Sequence, residues 1–211
     1  MTGAMSTLQT QRKFIPGTTG WTADDLDDPE IGRLWEAGAY EIVEGVLTLM
    51  PPAYHDGTLP LGRLRRLIER HLDATGSPGD FTGEDDFIVG RKKVARVDLM
   101  FMTPEDHRKQ EAANKTRGNP RLRFGRIRIP PTLIVESLSI GHEDHDRETK
   151  RAWYAEAGVP NYWILNAFER SVECLKLDGG TYRIDVAARD AEVLRPSLFP
   201  GLIIQLAELW A

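Results

Sequence analysis

The chain holds a single cysteine, Cys174, among 211 residues. No internal disulfide can brace it, and a reducing, cytoplasmic setting is the expectation. No apolar run approaches the ~20 residues needed to cross a bilayer. The first residues lack the apolar core of a secretory signal. Gly118 and Gly125 stand isolated, so there is no glycine-rich loop to cradle phosphates. No Ser-His-Asp order or nucleophile elbow appears, and no internal repeat or low-complexity segment. Positive charge is not in excess either: the formal net charge is −5, which argues against a surface coated with basic residues for nucleic acid. The charge is unevenly spread, however. Segment 105–128 carries Arg108, Lys109, Lys115, Arg117, Arg121, Arg123, Arg126 and Arg128 against Glu105, Asp106 and Glu111. Such a run is either a solvated loop or a place to meet phosphates.

What is present reads as one embellished domain, residues 21–211, behind a loose tail, residues 1–20, with no apolar period. Thr22 and Asp25 suggest a helix start, with Leu26, Ile31, Leu34 and Trp35 as its apolar face and Gly38 as its stop. Residues 40–50 read as a hairpin turning at Glu44-Gly45. Residues 61–72 space Leu61, Leu64, Leu67, Ile68 and Leu72 at helical intervals, opposite Arg63, Arg65, Arg66, Glu69 and Arg70. Strands are expected over 87–89, over 94–102 as a run apolar on both faces, and over 132–138. A polar insert fills 103–128. A helix over 146–157 ends at Gly158; a buried strand over 161–166 and a hairpin over 171–177 and 181–186 follow. Cys174 reads as a small core residue. Periodicity does not decide between strand and helix for 202–210. The order implies a mixed α/β domain with a central sheet and helices packed on it.

Two acids break the apolar pattern. Asp98 lies within Val97-Asp98-Leu99-Met100-Phe101, and Glu136 within Leu133-Ile134-Val135-Glu136-Ser137-Leu138. A carboxylate buried in a strand is costly unless it is paired, hydrogen-bonded or metal-bound. If the two strands are neighbours, both acids can converge on one divalent cation, and hard oxygen donors suit Mg²⁺. Pairing with a buried arginine such as Arg96 is the alternative. Lys150, fourteen residues after Glu136, sits on a helix that folds back on that strand, where an ammonium can orient a water or offset negative charge. Spacing alone also allows a surface lysine paired with Asp146. His142, Asp144, His145 and Asp146 form a dense cluster, but consecutive residues cannot all reach one ion, and a helix cap from Asp144 or Asp146 is expected instead of zinc.

The ordered series of motifs resembles the PD-(D/E)XK nuclease superfamily and, within it, the Uma-two family of putative restriction endonucleases. Its carriers are Tyr40-Glu41-Ile42-Val43-Glu44-Gly45, Met50-Pro51-Pro52 with His55, Arg96-Val97-Asp98-Leu99-Met100, residues 131–139, Asp146 through Lys150, and residues 154–164. The resemblance covers residues 21–187. It implies a restriction-endonuclease-like αβββαβ core with hairpin additions at both ends. It further implies a Mg²⁺-dependent endonuclease (Mn²⁺ as a substitute) acting on DNA, metal ligation by Asp98 and Glu136, and a homodimer for cutting both strands. The superfamily pattern has a proline before the aspartate, where this chain has Val97. It has a lysine two residues after the second acid, where this chain has Leu138. The resemblance makes Lys150 the replacement, and matches Glu41 to a recurrent family acid that could approach the metal; its place in a hairpin favours a surface acid instead. The other reading is a weak or inactive nuclease-fold module that binds nucleic acid or a protein partner.

Overall fold

A computed structural model describes residues 13–50, 55–117, 123, 125–139 and 145–211. Two sheets organise these residues. The smaller joins β1 (Tyr40–Val43), β2 (Val46–Leu49), β4 (Asp85–Gly90) and β5 (Lys93–Val97) in the order β2-β1-β5-β4, all antiparallel. The larger joins β3 (Asp80–Thr82), β6 (Leu99–Met102), β7 (Leu133–Ser137), β8 (Asn161–Asn166), β9 (Ser171–Asp178) and β10 (Thr181–Arg189) in the order β10-β9-β8-β7-β6-β3. Only β7 and β8 run parallel within it, and α4 (Arg151–Ala157) lies in the crossover between them. A two-stranded ladder, β11 (Val193–Leu194) with β12 (Ile204–Gln205), precedes the short helix α5 (Ala207–Trp210). The whole is a mixed α/β architecture with a six-stranded mixed sheet and helices.

Alternation along the central strands divides the core. Leu99 and Phe101 of β6, Leu133 and Val135 of β7, and Trp163 and Leu165 of β8 face α2 (His55–Thr75), which contributes Leu61, Leu64, Ile68 and Leu72. Their neighbours Met100, Met102, Ile134, Tyr162 and Ile164 point the other way, towards Trp153 and Tyr154 of α4. Each such large apolar side chain contributes roughly 1.5–3 kcal/mol on burial. A period of two therefore puts Glu136 on the same face as Ile134, under α4. A third cluster packs Trp21, Leu26 and Trp35 against Ile42, Leu47 and Val94 of the small sheet. Cys174 is a buried core residue.

Four expectations are corrected. The single strand expected over 94–102 is two strands in two sheets, broken at Asp98; hydrophobicity is continuous across the break because both halves are buried. The polar insert begins as a helix, α3 (Pro104–Arg117). Thr103 and Asp106 hold each other's backbone amides at its start, Thr103 N to Asp106 Oδ2 at 2.9 Å and Asp106 N to Thr103 Oγ1 at 3.3 Å. The expected loose tail is anchored over its last residues: Gly17 N donates to Leu47 O at 2.7 Å, Thr19 bridges Val46, and Phe14 packs edge-on to Trp21. Helix α2 starts at His55, six residues before its apolar stripe, and carries Pro60 within it.

The first cap, the hairpin turn and the Gly158 stop are as expected, whereas Leu34, expected on the apolar face of the first helix, stands 42 % exposed. Thr22 and Asp25 form a reciprocal cap on a 3₁₀ turn (Ala23–Asp27) that leads into α1 (Pro29–Glu36). The β1–β2 turn places Glu44 at φ 49° and Gly45 at φ 82°, the left-handed pair of a tight hairpin. Gly158 ends α4 at φ 81°.

Candidate active site

Asp98 occupies the junction where the chain leaves the small sheet at Val97 and enters the large one at Leu99. Because β6 and β7 pair with Leu99 opposite Val135, the next residues outward, Asp98 and Glu136, stand beside each other. The backbone exchanges side-chain contacts across this step: Asp98 N donates to Glu136 Oε2 at 3.3 Å, and Ser137 N donates to Asp98 Oδ2 at 2.8 Å. The two acids are brought together as their spacing in neighbouring strands suggested. Arg96, the alternative partner, pairs elsewhere, with Glu84 and Asp86 at 3.7 Å.

Lys150 comes to the same place from the far side. The helix expected from 146 opens as a π-helical turn, His145–Lys150, before α4; such widened turns recur at functional sites. Lys150 is 3 % exposed, not a surface lysine. Its Nζ donates to Glu136 Oε1 at 3.2 Å and Arg96 O at 3.0 Å, and lies 3.0 Å from Glu41 Oε1 and 3.4 Å from Asp146 Oδ1. The i,i+4 pairing with Asp146 is thus present but buried. Leu138, where the superfamily pattern has lysine, is buried in the α4-side core.

Glu41 corrects the expectation of a hairpin surface acid. It is fully buried (0 % exposed) on β1. Its Oε1 accepts from Arg96 N at 3.0 Å, and its Oε2 sits 2.8 Å from His145 Nε2. Glu41 shows the same signature as the other two, a carboxylate on an apolar strand, and that signal was available in Tyr-Glu-Ile-Val. Tyr154 is a further member that pattern reading missed, and Asp146, expected as a cap or a surface partner of Lys150, joins the buried cluster. Tyr154 OH donates to Glu136 Oε1 at 2.6 Å. Asp146 faces Lys150, with its carbonyl accepting from Tyr162 OH at 3.0 Å, in place of the expected cap. His142 and Asp144 lie outside the described residues.

The electrostatics follow from crowding. Burial first, and the Glu136 charge second, push Asp98 up to about 7, against the pull of Lys150 and the Ser137 amide. Burial likewise pushes Glu136 up to about 7, with Lys150 opposing and Asp146 adding to the rise. Asp146 is raised, again by burial first. Burial alone would raise Glu41 too, but Lys150 and His145 outweigh it and hold Glu41 below the usual range. For Lys150, burial favours the neutral amine, yet Glu136 and Glu41 keep it a firmly charged ammonium. Asp98, Glu136, Glu41 and Asp146 together face one lysine and one histidine. The site is short of positive charge.

Asp98 opens onto a narrow cleft of about 60 Å³, whose walls include Gly57, Thr58 and Leu61 of α2, Ser137, Leu138 and Phe168. Asp98 lines that cleft and Glu136 is buried behind it; as donor chemistry, two carboxylates with the balance left to water are what Mg²⁺ commonly takes. Among the described residues no three His, Cys, Asp or Glu side chains form a metal-holding group.

Among the described residues, several basic groups of segment 105–128 pair with acids, and the arginines of α2 lie away from the cleft. Along 105–128, Arg108 and Lys109 pair with Glu105, Lys115 and Arg123 with Glu111, and Arg126 with Asp86. At about 100° per residue, Arg63, Arg66 and Arg70 lie across α2 from Gly57, Thr58 and Leu61. They line a separate hollow with Glu69, Asp73 and Glu208. No helix among the described residues is long and apolar enough to cross a membrane.

Comparison with known proteins agrees with the motif series. The family model described as "Uma2: Putative restriction endonuclease" matches residues 30–207. A crystal structure of a putative nuclease belonging to DUF820 from Anabaena variabilis superposes with a TM-score of 0.61 at 14 % identity. The match covers 82 % of this chain and 90 % of that one. No curated protein matches.

Proposed function

The chain belongs to the Uma2 family of putative restriction endonucleases, and from that premise we propose that it is a Mg²⁺-dependent endonuclease with a restriction-endonuclease-like core, hydrolysing phosphodiester bonds of DNA. One observation carries the reading: Asp98 on the cleft wall and Glu136 buried directly behind it arrive from neighbouring strands, with Glu136 Oε2 3.3 Å from the Asp98 backbone N and both carboxyls raised, by burial first, to about 7. Two such acids without enough countercharge are stable company for a cation and poor company for each other. Asp98 and Glu136 would hold that cation, which supplies Lewis-acid charge for a phosphoryl oxygen. Mn²⁺ would substitute.

The chain's own residues define the rest. Ser137 N fixes one Asp98 oxygen, which leaves the carboxylate aimed in one direction. Tyr154 OH and Lys150 Nζ both hold Glu136 Oε1, leaving Oε2 towards Asp98. Lys150 adds a fixed positive charge beside the carboxylate pair, where it orients the attacking water and offsets charge developing on phosphorus-bound oxygen. Leu61, Leu138 and Phe168 shed water from the cleft wall.

A second reading has an observation of its own. An ammonium has three hydrogens, and four acceptors already surround Lys150 Nζ within 3.4 Å. A lysine so engaged also suits a nuclease-fold module that binds nucleic acid or a protein without cutting. Plasmid DNA incubated with wild type, Asp98→Ala and Glu136→Ala, with Mg²⁺ or Mn²⁺ and with chelator, separates the two. Metal-dependent cleavage lost in both variants supports the endonuclease. Retention of DNA without cleavage in any metal supports the module. Equal Mg²⁺ affinity of both variants and wild type by calorimetry would refute the metal site.

A further inference from the structure

Phe168 is a large apolar side chain left 50 % exposed, and it lines the same narrow cleft as Asp98. Neither the carboxylate pair nor Lys150 uses it. Its exposure is not the result of a loose loop. Phe168 lies in the turn between β8 and β9, and Asn166, only 6 % exposed, anchors that turn. Asn166 Oδ1 accepts from both Phe168 N and Glu169 N at 3.1 Å. Arg170, at φ 49°, closes the turn, and its carbonyl accepts from Asp190 N at 2.7 Å. The ring is therefore carried on a fixed backbone at the edge of the site, with little ordering left to do on binding.

The cleft itself, at about 60 Å³, is too small to enclose a nucleobase. A strand whose phosphate reaches Asp98 must lay its bases across the rim, and among the described residues that line the cleft Phe168 is the aromatic one. Every base has a π-face that can stack on such a ring, but in an intact duplex those faces are already covered by neighbouring base pairs. We propose that Phe168 is a base-stacking platform that positions single-stranded or unpaired DNA at Asp98, so that the site selects strands with an unstacked base over intact duplex. The inference rests on the endonuclease reading for the identity of the ligand, but its binding arm is independent of cleavage.

The test measures fluorescence anisotropy of labelled oligothymidylate, and of a duplex of equal length, with wild type, Phe168→Ala, Phe168→Leu and Phe168→Trp in Ca²⁺, a hard cation that can sit between a phosphate and the carboxylates. Base–aromatic stacking is lost on truncation to alanine, so Phe168→Ala is expected to bind oligothymidylate about 5- to 100-fold more weakly. Phe168→Leu follows alanine, Phe168→Trp restores wild-type affinity, and duplex binding hardly changes. Where cleavage is measurable, Phe168→Ala raises KM on single strands and leaves kcat nearly constant. An abasic nucleotide in the wild-type substrate mimics Phe168→Ala and is not additive with it. Phe168-dependent single-strand binding by a protein that cleaves nothing keeps this inference and sinks the catalytic one. Equal affinity of wild type and Phe168→Ala for the single strand overturns this inference, whether or not the protein cuts DNA. Rescue by leucine as complete as by tryptophan overturns it too, since it would mean packing and not stacking.

Discussion

Replacing Asp98 by asparagine tests the crowding of acids on which the site is read. Asparagine keeps the shape and an oxygen for the Ser137 amide, 2.8 Å away, but never ionises. In the folded chain Asp98 is pushed from 3.8 to about 7, by burial first and by Glu136 second. A carboxylate raised on folding holds a proton that the unfolded chain releases. Its contribution to stability is greatest below about pH 4, falls as pH rises towards 7, and is level above. At ~1.36 kcal/mol per unit, three units set an upper bound of about 4 kcal/mol, reduced by screening because Asp98 opens onto the cleft. About one of those units is already lost by pH 5. At roughly 2–4 °C per kcal/mol for a chain of this size, Asp98→Asn should melt several degrees above wild type at pH 8 in chelator. The gap should shrink at pH 5. Taking the difference between the two proteins cancels the acid sensitivity of carboxylates remote from Asp98, while Glu136 and Asp146, relieved of its charge, widen the gap in the same direction. Millimolar Mg²⁺ or Mn²⁺ should narrow the gap at pH 8 by stabilising only the wild type. Scanning calorimetry reads all of this, and a gap independent of pH between 5 and 8 would refute the crowded pair.

Lys150→Met removes the cation shared by Glu136, Glu41 and Asp146. Stranding buried charge typically costs about 3–5 kcal/mol, which denaturant melts should show, with the deficit growing as pH rises and the carboxylates ionise. In Lys150→Ala that remains folded, turnover should fall while Mg²⁺ affinity by calorimetry stays largely intact. Tyr154→Phe deletes a 2.6 Å hydrogen bond to Glu136; about 1.5–3 kcal/mol of stability at pH 8 should go with it, as for other bonds to a charged group. In Gly83→Ala the new Cβ would lie 2.8 Å from the Asp98 carbonyl. Backbone must shift, at roughly 1–3 kcal/mol, and metal affinity should drop although Gly83 carries no ligand.

Asp98 and Glu136 were legible because strands dominated by Val, Ile, Leu and Met leave no cheap explanation for a carboxylate. Glu41 carried the same sign but sat in a short hairpin, where alternation suggests an exposed face, and the π-helical turn that brings His145 and Lys150 onto it is not legible there. The break at Asp98 was invisible because burial on both faces erases the period by which strand boundaries are recognised. Helix α3 has no apolar stripe to read, since surface ion pairs such as Lys115 with Glu111 decorate it. Its start was readable nonetheless in Thr103-Pro104-Glu105-Asp106, a capping pair around a first-turn proline. The asymmetry of Lys150 was not readable at all: whether a helical lysine faces water or a buried acid depends on how the π-helical turn rotates it.

The junction at Asp98 has a mechanical side. A single residue joins β5 to β6, and through it the four-stranded and six-stranded layers meet. The two layers also share an apolar core, Phe87, Ala95 and Val97 against Met100 and Ile134, so whatever grips the Asp98 carboxylate adds a further tie between slabs already packed together. Occupancy of one small cleft should slow the solvent exchange of amides in both layers at once, including β1 and β8, strands that never touch the occupant.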